Sequence, residues 1–315
     1  MKNYIKSIIF IIILISLILL LGIVFTPKNN ELANNEADLK ANGILGEKEN
    51  TIDVIVIGDS LTYSSFIPLE MFKNYGFTSY ICGTHAQMMF NSYRFLEKSL
   101  EKQKPKVVIL ETNALFRKYS AKKDFINKLE KTFPFFEYHN RWKTLKLNDI
   151  TSNKNYTYTD PMKGYMLKRS IKPSKNHNYM KHNNKKAIIP EGNYKYLEMM
   201  KKKCEENGIK FVLVSAPSLT NYNYSKHNTL KEYAKNNKID YIDLNIDNIT
   251  GIDWNEDTTD KGDHLNYKGA KKVSNYLGNY LYQKYNLTDK RNDISYNSWL
   301  KDLSKYEKLV NLFFK

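Results

Sequence analysis

Five short apolar runs, separated by stretches of helical pattern, constrain this 315-residue chain more than any other feature. They are Thr51–Ile57 (TIDVIVI), Ser79–Cys82, Lys106–Leu110 (KVVIL), Lys210–Val214 (KFVLV) and Asp240–Leu244 (DYIDL). Short β-branched runs bounded by turn residues read as strands. The intervening Asn91–Glu101, Tyr194–Asn207 and Thr229–Asn236 read as helices, and Asn207-Gly208 is a helix stop. Alternation of this kind predicts an α/β domain, a parallel sheet with helices on both faces. Chemistry in such sheets gathers at the carboxyl ends of the strands, here the loops opening at Gly58, Gly83, Thr112, Ser215 and Asn245.

The N-terminus obeys a different rule. From Ile8 to Phe25 only Ser16 and Gly22 interrupt an apolar run that follows Lys2 and Lys6. Eighteen residues as a helix span about 27 Å, close to a bilayer's hydrocarbon core. A cleaved signal peptide is the rival reading, but its apolar region is usually shorter and no small-x-small site follows Phe25. The expectation is a retained signal anchor over residues 1–26, a single pass in the cell membrane. The lysines before the run leave the remainder extracytoplasmic, an asymmetry that Lys28 weakens slightly.

Residues 27–50, polar and rich in Asn and Glu, read as a linker. The α/β domain then occupies 51–286, with an insert at 117–190 that lacks a clear strand and reads as a lid subdomain. Residues 287–315 form a helical tail, with Trp299, Leu300, Leu303, Tyr306, Leu309, Val310 and Leu312 at helical spacing along Ser295–Phe314.

The net charge of +16 permits attraction to anionic polymers or headgroups, or simply a solvated Lys-rich surface. No nucleic-acid-binding motif accompanies it, and export argues against such a partner. Cys82 has the context of a buried thiol, and nothing demands that it pair with Cys204. Asp253, Asn255 and Asp257 imitate the opening of a calcium loop. Thr258 and His264 stand where that loop needs Gly and Glu, so no metal is expected there. His177 and His182 lack ligand company, and no cofactor is expected.

Two motifs carry chemistry. Ser60 follows Gly58-Asp59 at the end of the first strand, where a strand-to-helix turn presents a hydroxyl beside backbone N–H groups. His264 sits in Gly262-Asp263-His264-Leu265-Asn266, a carboxylate-rich turn just before the helical stretch Tyr267–Tyr285. An Asp accepting from Nδ1 would aim the other imidazole nitrogen at a hydroxyl. Either motif alone reads more simply as a surface turn.

Together they resemble the SGNH (GDSL-type) hydrolase superfamily. Gly58-Asp59-Ser60, Gly83 in YICGTHAQ, Asn113 in VVILETNALF and His264 in DHLN stand in that family's order, over roughly residues 51–285. The TSYICGTHAQ, ILETNALF, EYHNRW and GDHLNYKGAKKV blocks are similar to clostridial-type SGNH proteins associated with membrane-bound O-acyltransferases of cell-surface polysaccharides. The resemblance implies a flavodoxin-like three-layer sandwich with five parallel strands. It implies Ser60 as nucleophile, His264 as base, and an oxyanion hole of the Ser60 and Gly83 N–H groups with the Asn113 side chain. The family's Asp usually stands three residues before the His, a position held here by Lys261. Asp260 is favoured if Gly262 absorbs an insertion; Asp263 is the alternative, and a Ser–His dyad needs neither. His85 and Gln87 near Gly83, and His139, Arg141 and Trp142 in the insert, are candidate substrate contacts.

The expected function is therefore a serine esterase or O-acyltransferase moving an acyl group, acetyl first, to or from a cell-surface polysaccharide. Its expected partners are the membrane through residues 8–25, that polymer and a membrane-bound O-acyltransferase, with no nucleic acid. The alternative is a non-catalytic polysaccharide-binding module of such an acyltransferase complex.

Overall fold

The β-branched runs pair as five parallel strands: β1 (Val54–Gly58), β2 (Ser79–Gly83), β3 (Val107–Glu111), β4 (Lys210–Ser215) and β5 (Asp240–Asp243). Their order is β2-β1-β3-β4-β5, that of flavodoxin-like doubly wound sheets. Register places Gly58 opposite Gly83 at the carboxyl edge. The computed structural model describes residues 2–175 and 177–313; Met1 of the expected anchor and Phe314 of the expected tail lie outside them.

The helices, in chain order, begin with α1 (Lys2–Phe25), α2 (Glu36–Asn42), α3 (Ser60–Ser65), α4 (Pro68–Tyr75) and α5 (Met89–Leu100). Then come α6 (Ala121–Thr132), α7 (Pro134–Tyr138), α8 (Leu147–Thr151) and α9 (Glu191–Glu206). The series ends with α10 (Tyr224–Asn237), α11 (Tyr267–Lys284) and α12 (Asn297–Phe313). They divide the chain into two units, residues 1–32 with 120–157, and residues 33–119 with 158–315.

In the larger unit β1, β2 and β3 are buried throughout, on both faces. Alternate residues Val54, Val56, Val107, Ile109, Val212 and Val214 form one core with Leu61, Met71, Val273, Leu277 and Leu281 of α3, α4 and α11. Each such aliphatic side chain contributes about 1.5–3 kcal/mol when taken fully from water. The chain steps from β1 to β2 in one direction and from β2 across β1 to β3 in the other. Right-handed crossovers therefore lay α4 and α5 on opposite faces. The reversal falls between β1 and β3, the switch point where open α/β sheets leave a crevice.

The boundaries read from the sequence shift in two places. Residues 33–50 are no linker: Ala37, Ala41 and Ile44 are buried, and the Tyr80 hydroxyl donates to the Lys40 carbonyl at 2.8 Å. Buried Lys163 makes ion pairs of 2.8 Å to both Glu47 and Asp302 and lies over the Trp299 ring. That triad ties the presumed linker, the end of the insert and the C-terminal α12 into one unit. The insert divides as well, for residues 158–190 belong to the sheet-bearing unit and residues 120–157 to the smaller one.

In the smaller unit, α1 is long and apolar enough to cross a membrane, and its 24 residues extend about 36 Å. Ile8, Ile12 and Leu20 are each more than half exposed. The carboxyl end of α1 packs on α7, with the Phe25 and Phe135 rings edge to face at 5.1 Å. Arg141 donates to the Phe25 carbonyl and, at 2.6 Å, to Asp149. Asn155 N–H reaches the Lys28 carbonyl at 2.7 Å. The helices of the insert thus brace the base of the hydrophobic helix.

Candidate active site

Ser60 is the first residue of α3, two residues beyond the end of β1. Asp59 caps the helix, its Oδ1 accepting the Leu61 N–H at 3.0 Å, so the chain turns sharply and leaves Ser60 half-buried at the sheet edge. Gly58 and Gly83 are required by packing there. A Cβ on Gly58 would meet the Thr62 methyl and the Glu111 Cβ; one on Gly83 would meet the Thr62 hydroxyl and the Asp59 carbonyl. The missing Cβ at Gly83 makes room for the turn that carries Ser60.

His264 approaches from the loop before α11. Its Nε2 lies 2.8 Å from Ser60 Oγ and its Nδ1 lies 2.7 Å from Asp260 Oδ2. The His264 backbone N–H donates to the other oxygen of Asp260 at 2.7 Å. Lys261 and Gly262 are both left-handed, at φ of 67° and 97°, which curls the four-residue span until Asp260 faces His264. Thr258 fixes the curl by accepting Gly262 N–H at 2.7 Å on its hydroxyl and donating that hydroxyl to the His264 carbonyl at 3.0 Å. Asp263 stands farther off, 3.5 Å from Nδ1, and its Oδ1 is held by the Thr220 hydroxyl at 2.9 Å and by the Asn221 amide.

This geometry assigns the tautomer. With Nδ1–H donated to the Asp260 carboxylate, Nε2 carries the lone pair that accepts the Ser60 proton. Burial alone would lower the His264 pKa. The Asp260 hydrogen bond, with the charges of Asp263, Asp260 and Asp59, outweighs it and holds the imidazole above its ordinary value. Burial likewise works to raise Asp260, but the His264 hydrogen bonds bring it below the usual carboxylate value. The ligand atoms of Asp260, Asp263 and His264 lie within 4.8 Å of one another. A proton on Nδ1 and donors on both aspartates occupy the positions a cation would need.

Asn113, in the short helical turn Thr112–Phe116 after β3, gives one amide hydrogen to Asp59 Oδ2 at 2.8 Å. Its second has no partner among the described residues. Arg117 also donates from Nε to that Asp59 oxygen at 3.1 Å and adds a second bond from its guanidinium. Sequence reading missed Arg117, although ETNALFR places it four residues beyond Asn113. It also missed Glu111, fully buried, which accepts Asn113 N–H at 3.1 Å. Burial, then the nearby charge of Asp59, pushes Glu111 well above the usual carboxylate range.

A third missed residue is Tyr63, one turn along α3 from Ser60. The Tyr63 phenol also meets His85 Nδ1 at 2.6 Å, and His85 is exposed. Gln87 is buried and holds its own loop, accepting Thr84 N–H at 3.1 Å and donating to the Ser92 hydroxyl at 3.0 Å. It is a brace rather than a substrate contact. His139, Arg141 and Trp142 belong to the smaller unit. Arg141 is engaged by Phe25 and Asp149, the His139 Nδ1 by the Phe136 carbonyl at 2.8 Å, and Trp142 is 64% exposed. Cys82 and Cys204 are buried free thiols, both pushed up to about 12 by burial and therefore poor nucleophiles.

Fold and site together define a doubly wound α/β protein with a Ser–His–Asp chain at the switch point of its sheet. No family model matches the chain, and neither does any curated protein. Several solved structures have a similar backbone. One, from Desulfitobacterium hafniense, is described as a lipolytic protein of the G-D-S-L family; it is 17% identical, covers 73% of this chain and 99% of its own, and gives a TM-score of 0.41. Another, described as an acylhydrolase from Bacteroides fragilis, is 13% identical with coverages of 80% and 100% and a TM-score of 0.41. A lipase/acylhydrolase from Enterococcus faecalis is 12% identical with coverages of 76% and 98%, also at 0.41. At these scores the likeness carries no residue roles, and those assigned below rest on this chain's own geometry.

Proposed function

We propose that this protein is an extracytoplasmic serine O-acyltransferase or acylesterase, moving an acyl group, acetyl first, to or from a cell-surface polysaccharide through an ester on Ser60. The observation that carries the proposal is the unbroken chain from Ser60 Oγ to His264 Nε2 and from Nδ1 to Asp260, at 2.8 and 2.7 Å. A polysaccharide-binding module has no use for such a chain.

In this reading Ser60 Oγ attacks the donor's carbonyl carbon as its proton passes to His264 Nε2. The oxyanion is met by the Ser60 and Gly83 N–H groups and the free hydrogen of the Asn113 amide, donors of a kind worth about 3–4 kcal/mol each. His264 returns the proton to the departing alcohol, which leaves the acyl group on Ser60. A water or sugar hydroxyl then gives its proton to His264 and attacks the ester, releasing Ser60. Asp260 stabilises the imidazolium in both halves. Asp59, engaged by Arg117 and Asn113, shapes the turn and takes no proton.

Residues 8–25 would cross the bilayer with Lys2 and Lys6 inside and the sheet-bearing unit outside. A membrane-bound O-acyltransferase is the proposed source of acyl groups, which gives a reason for tethering the enzyme at the bilayer. The test is intact-mass measurement after incubation with an activated acetyl ester, followed by a panel of glucan, N-acetylhexosamine and teichoic-type oligomers. An acetyl adduct on Ser60, absent in Ser60→Ala and discharged faster by an oligomer than by water, is the expected result. Removal of acetyl from acetylated polymer with every acceptor ignored would leave an esterase. No adduct at all would end the reading.

A further inference from the structure

Ser60 has a second polar neighbour besides His264, and the mechanism above does not use it. Tyr63 shares the face of α3 that Ser60 begins, one turn on, and meets His85 Nδ1 at 2.6 Å. The two rings stand edge to face, 5.5 Å apart at 86°.

We propose that Tyr63 and His85 form the alcohol subsite of Ser60, with His85 Nε2–H donating to an oxygen of the sugar whose hydroxyl enters or leaves. This rests on the reading of Ser60 as the acyl carrier.

The direction of each hydrogen bond follows from counting protons. Ser60 has one proton, and His264 Nε2 takes it, because His264 Nδ1–H is engaged by Asp260. The Tyr63 ring is 3% exposed, and burial pushes its phenol up to about 12, so it stays an O–H donor at neutral pH. That hydrogen is donated to His85 Nδ1, which lies 2.6 Å from the phenol oxygen. A neutral imidazole that accepts on Nδ1 carries its own hydrogen on Nε2. His85 is exposed, so this donor faces outward from the site.

The loop presenting His85 is built rather than loose. Thr84 is held through both its N–H and its hydroxyl by Gln87 at 3.1 and 3.0 Å, and the Gln87 side chain is 1% exposed. Ala86 is held in the left-handed region at φ 47°, a conformation a residue with a Cβ adopts at a cost. An acyl group on Ser60 therefore has His264 on one polar side and the Tyr63–His85 pair as a second. Deacylation by an alcohol is the reverse of acylation by its ester, so one subsite serves the acceptor and the leaving alcohol alike. His85 would thus set which alcohol is recognised, while Tyr63 positions it by fixing the tautomer.

The experiment uses the full-length protein and two readouts. The rate of labelling by a fluorophosphonate reports Ser60 itself, because its fluoride leaving group needs no alcohol subsite. The KM for a chito-oligosaccharide, as acetyl acceptor or as the acetylated ester, reports the subsite. His85→Ala should raise that KM about tenfold, and by more than it slows labelling. His85→Gln, which restores a donor near the Nε2 position, should recover part of the loss. Tyr63→Phe removes only a hydroxyl from a buried ring that otherwise keeps its packing, and should raise the same KM. Combined with His85→Ala it should add little, because the two act as one unit. An unchanged KM in His85→Ala, or effects of the two substitutions that multiply independently, overturns the inference while Ser60 labelling still stands. Absence of labelling in the unsubstituted protein removes the serine reading and the subsite with it.

Discussion

Asp260→Asn separates the two aspartates most cleanly. The carboxylate accepts twice from His264, on Oδ2 from Nδ1–H and on Oδ1 from the backbone N–H, both at 2.7 Å. An amide of the same shape has one acceptor and one donor group, so one of these bonds must fail. The backbone N–H cannot change its state, but the imidazole can. The amide oxygen keeps the backbone bond, the NH2 faces Nδ1, and the proton moves to Nε2, where it blocks acceptance from Ser60. Wrong-tautomer substitutions of this kind cost about 10⁴ in kcat, or about 5.4 kcal/mol of transition-state stabilisation. Asp263→Asn touches a carboxylate 3.5 Å from Nδ1 and 39% exposed, with Thr220 and Asn221 already on its other oxygen. Solvent screens most of its charge, and a loss of less than about tenfold is expected. The assay is kcat/KM on p-nitrophenyl acetate beside fluorophosphonate labelling, with melting curves to show that both variants fold. A folded Asp260→Asn within tenfold of the unsubstituted protein, or a larger loss in Asp263→Asn, refutes the reasoning. Two mild effects would mean a Ser–His dyad.

Because acylation needs neutral His264 and its pKa is raised, the acidic limb of the kcat/KM profile should lie above the ordinary histidine value of 6.5 and move down in Asp260→Asn; a limb at or below that value contradicts the electrostatics. Glu111 is protonated when folded and ionised when unfolded above its ordinary 4.5, so stability falls as pH rises from there toward the folded value. One such proton contributes a slope of up to about 1.4 kcal/mol per pH unit. Glu111→Gln should remove that part in urea titrations across the acid range, and equal slopes in both proteins would mean Glu111 is ionised. Gly83→Ala puts a Cβ against the Thr62 hydroxyl and 3.1 Å from the Asp59 carbonyl. It should cost about 1–3 kcal/mol and slow Ser60 labelling; unimpaired labelling would show that the turn tolerates the crowding.

The strands were legible because a buried parallel sheet demands continuous β-branched runs, and the observed elements begin and end within three residues of those runs. Ser60, Gly83, Asn113 and His264 were legible as motif residues. Asp260 was favoured over Asp263 only narrowly, because the choice depends on Lys261 adopting φ 67°, which no lysine announces. Helix α2 escaped notice since it is buried through Ala37 and Ala41, too small to make a hydropathy stripe. Lys163 escaped because a 1% exposed lysine is recognisable only by its partners, Glu47 and Asp302, both more than a hundred residues away. Tyr63 looked like one aromatic among 24 tyrosines. Its role depends on a helix face shared with Ser60 and on a loop from another strand.

The acids at the sheet's carboxyl edge show why type and spacing alone could not choose the working carboxylate. Three strands end on one: Asp59 follows β1, Glu111 closes β3 and Asp243 closes β5. Each accepts the N–H two residues on, from Leu61 at 3.0 Å, Asn113 at 3.1 Å and Asn245 at 2.9 Å. The same short bond turns the chain out of the sheet three times. Each is buried, and each is held differently: Asp59 by the Arg117 ion pair, Glu111 with burial favouring its protonated form, Asp243 by a hydrogen bond with His227 at 2.6 Å. Carboxyls so enclosed fix backbone shape and are poorly suited to follow a proton back and forth. Asp260 is the opposite case, 38% exposed at its side chain and paired with an imidazole whose other nitrogen is free to exchange a proton with Ser60. In this chain the acids that build the site lie inside, and the one aligned with the histidine lies at its rim.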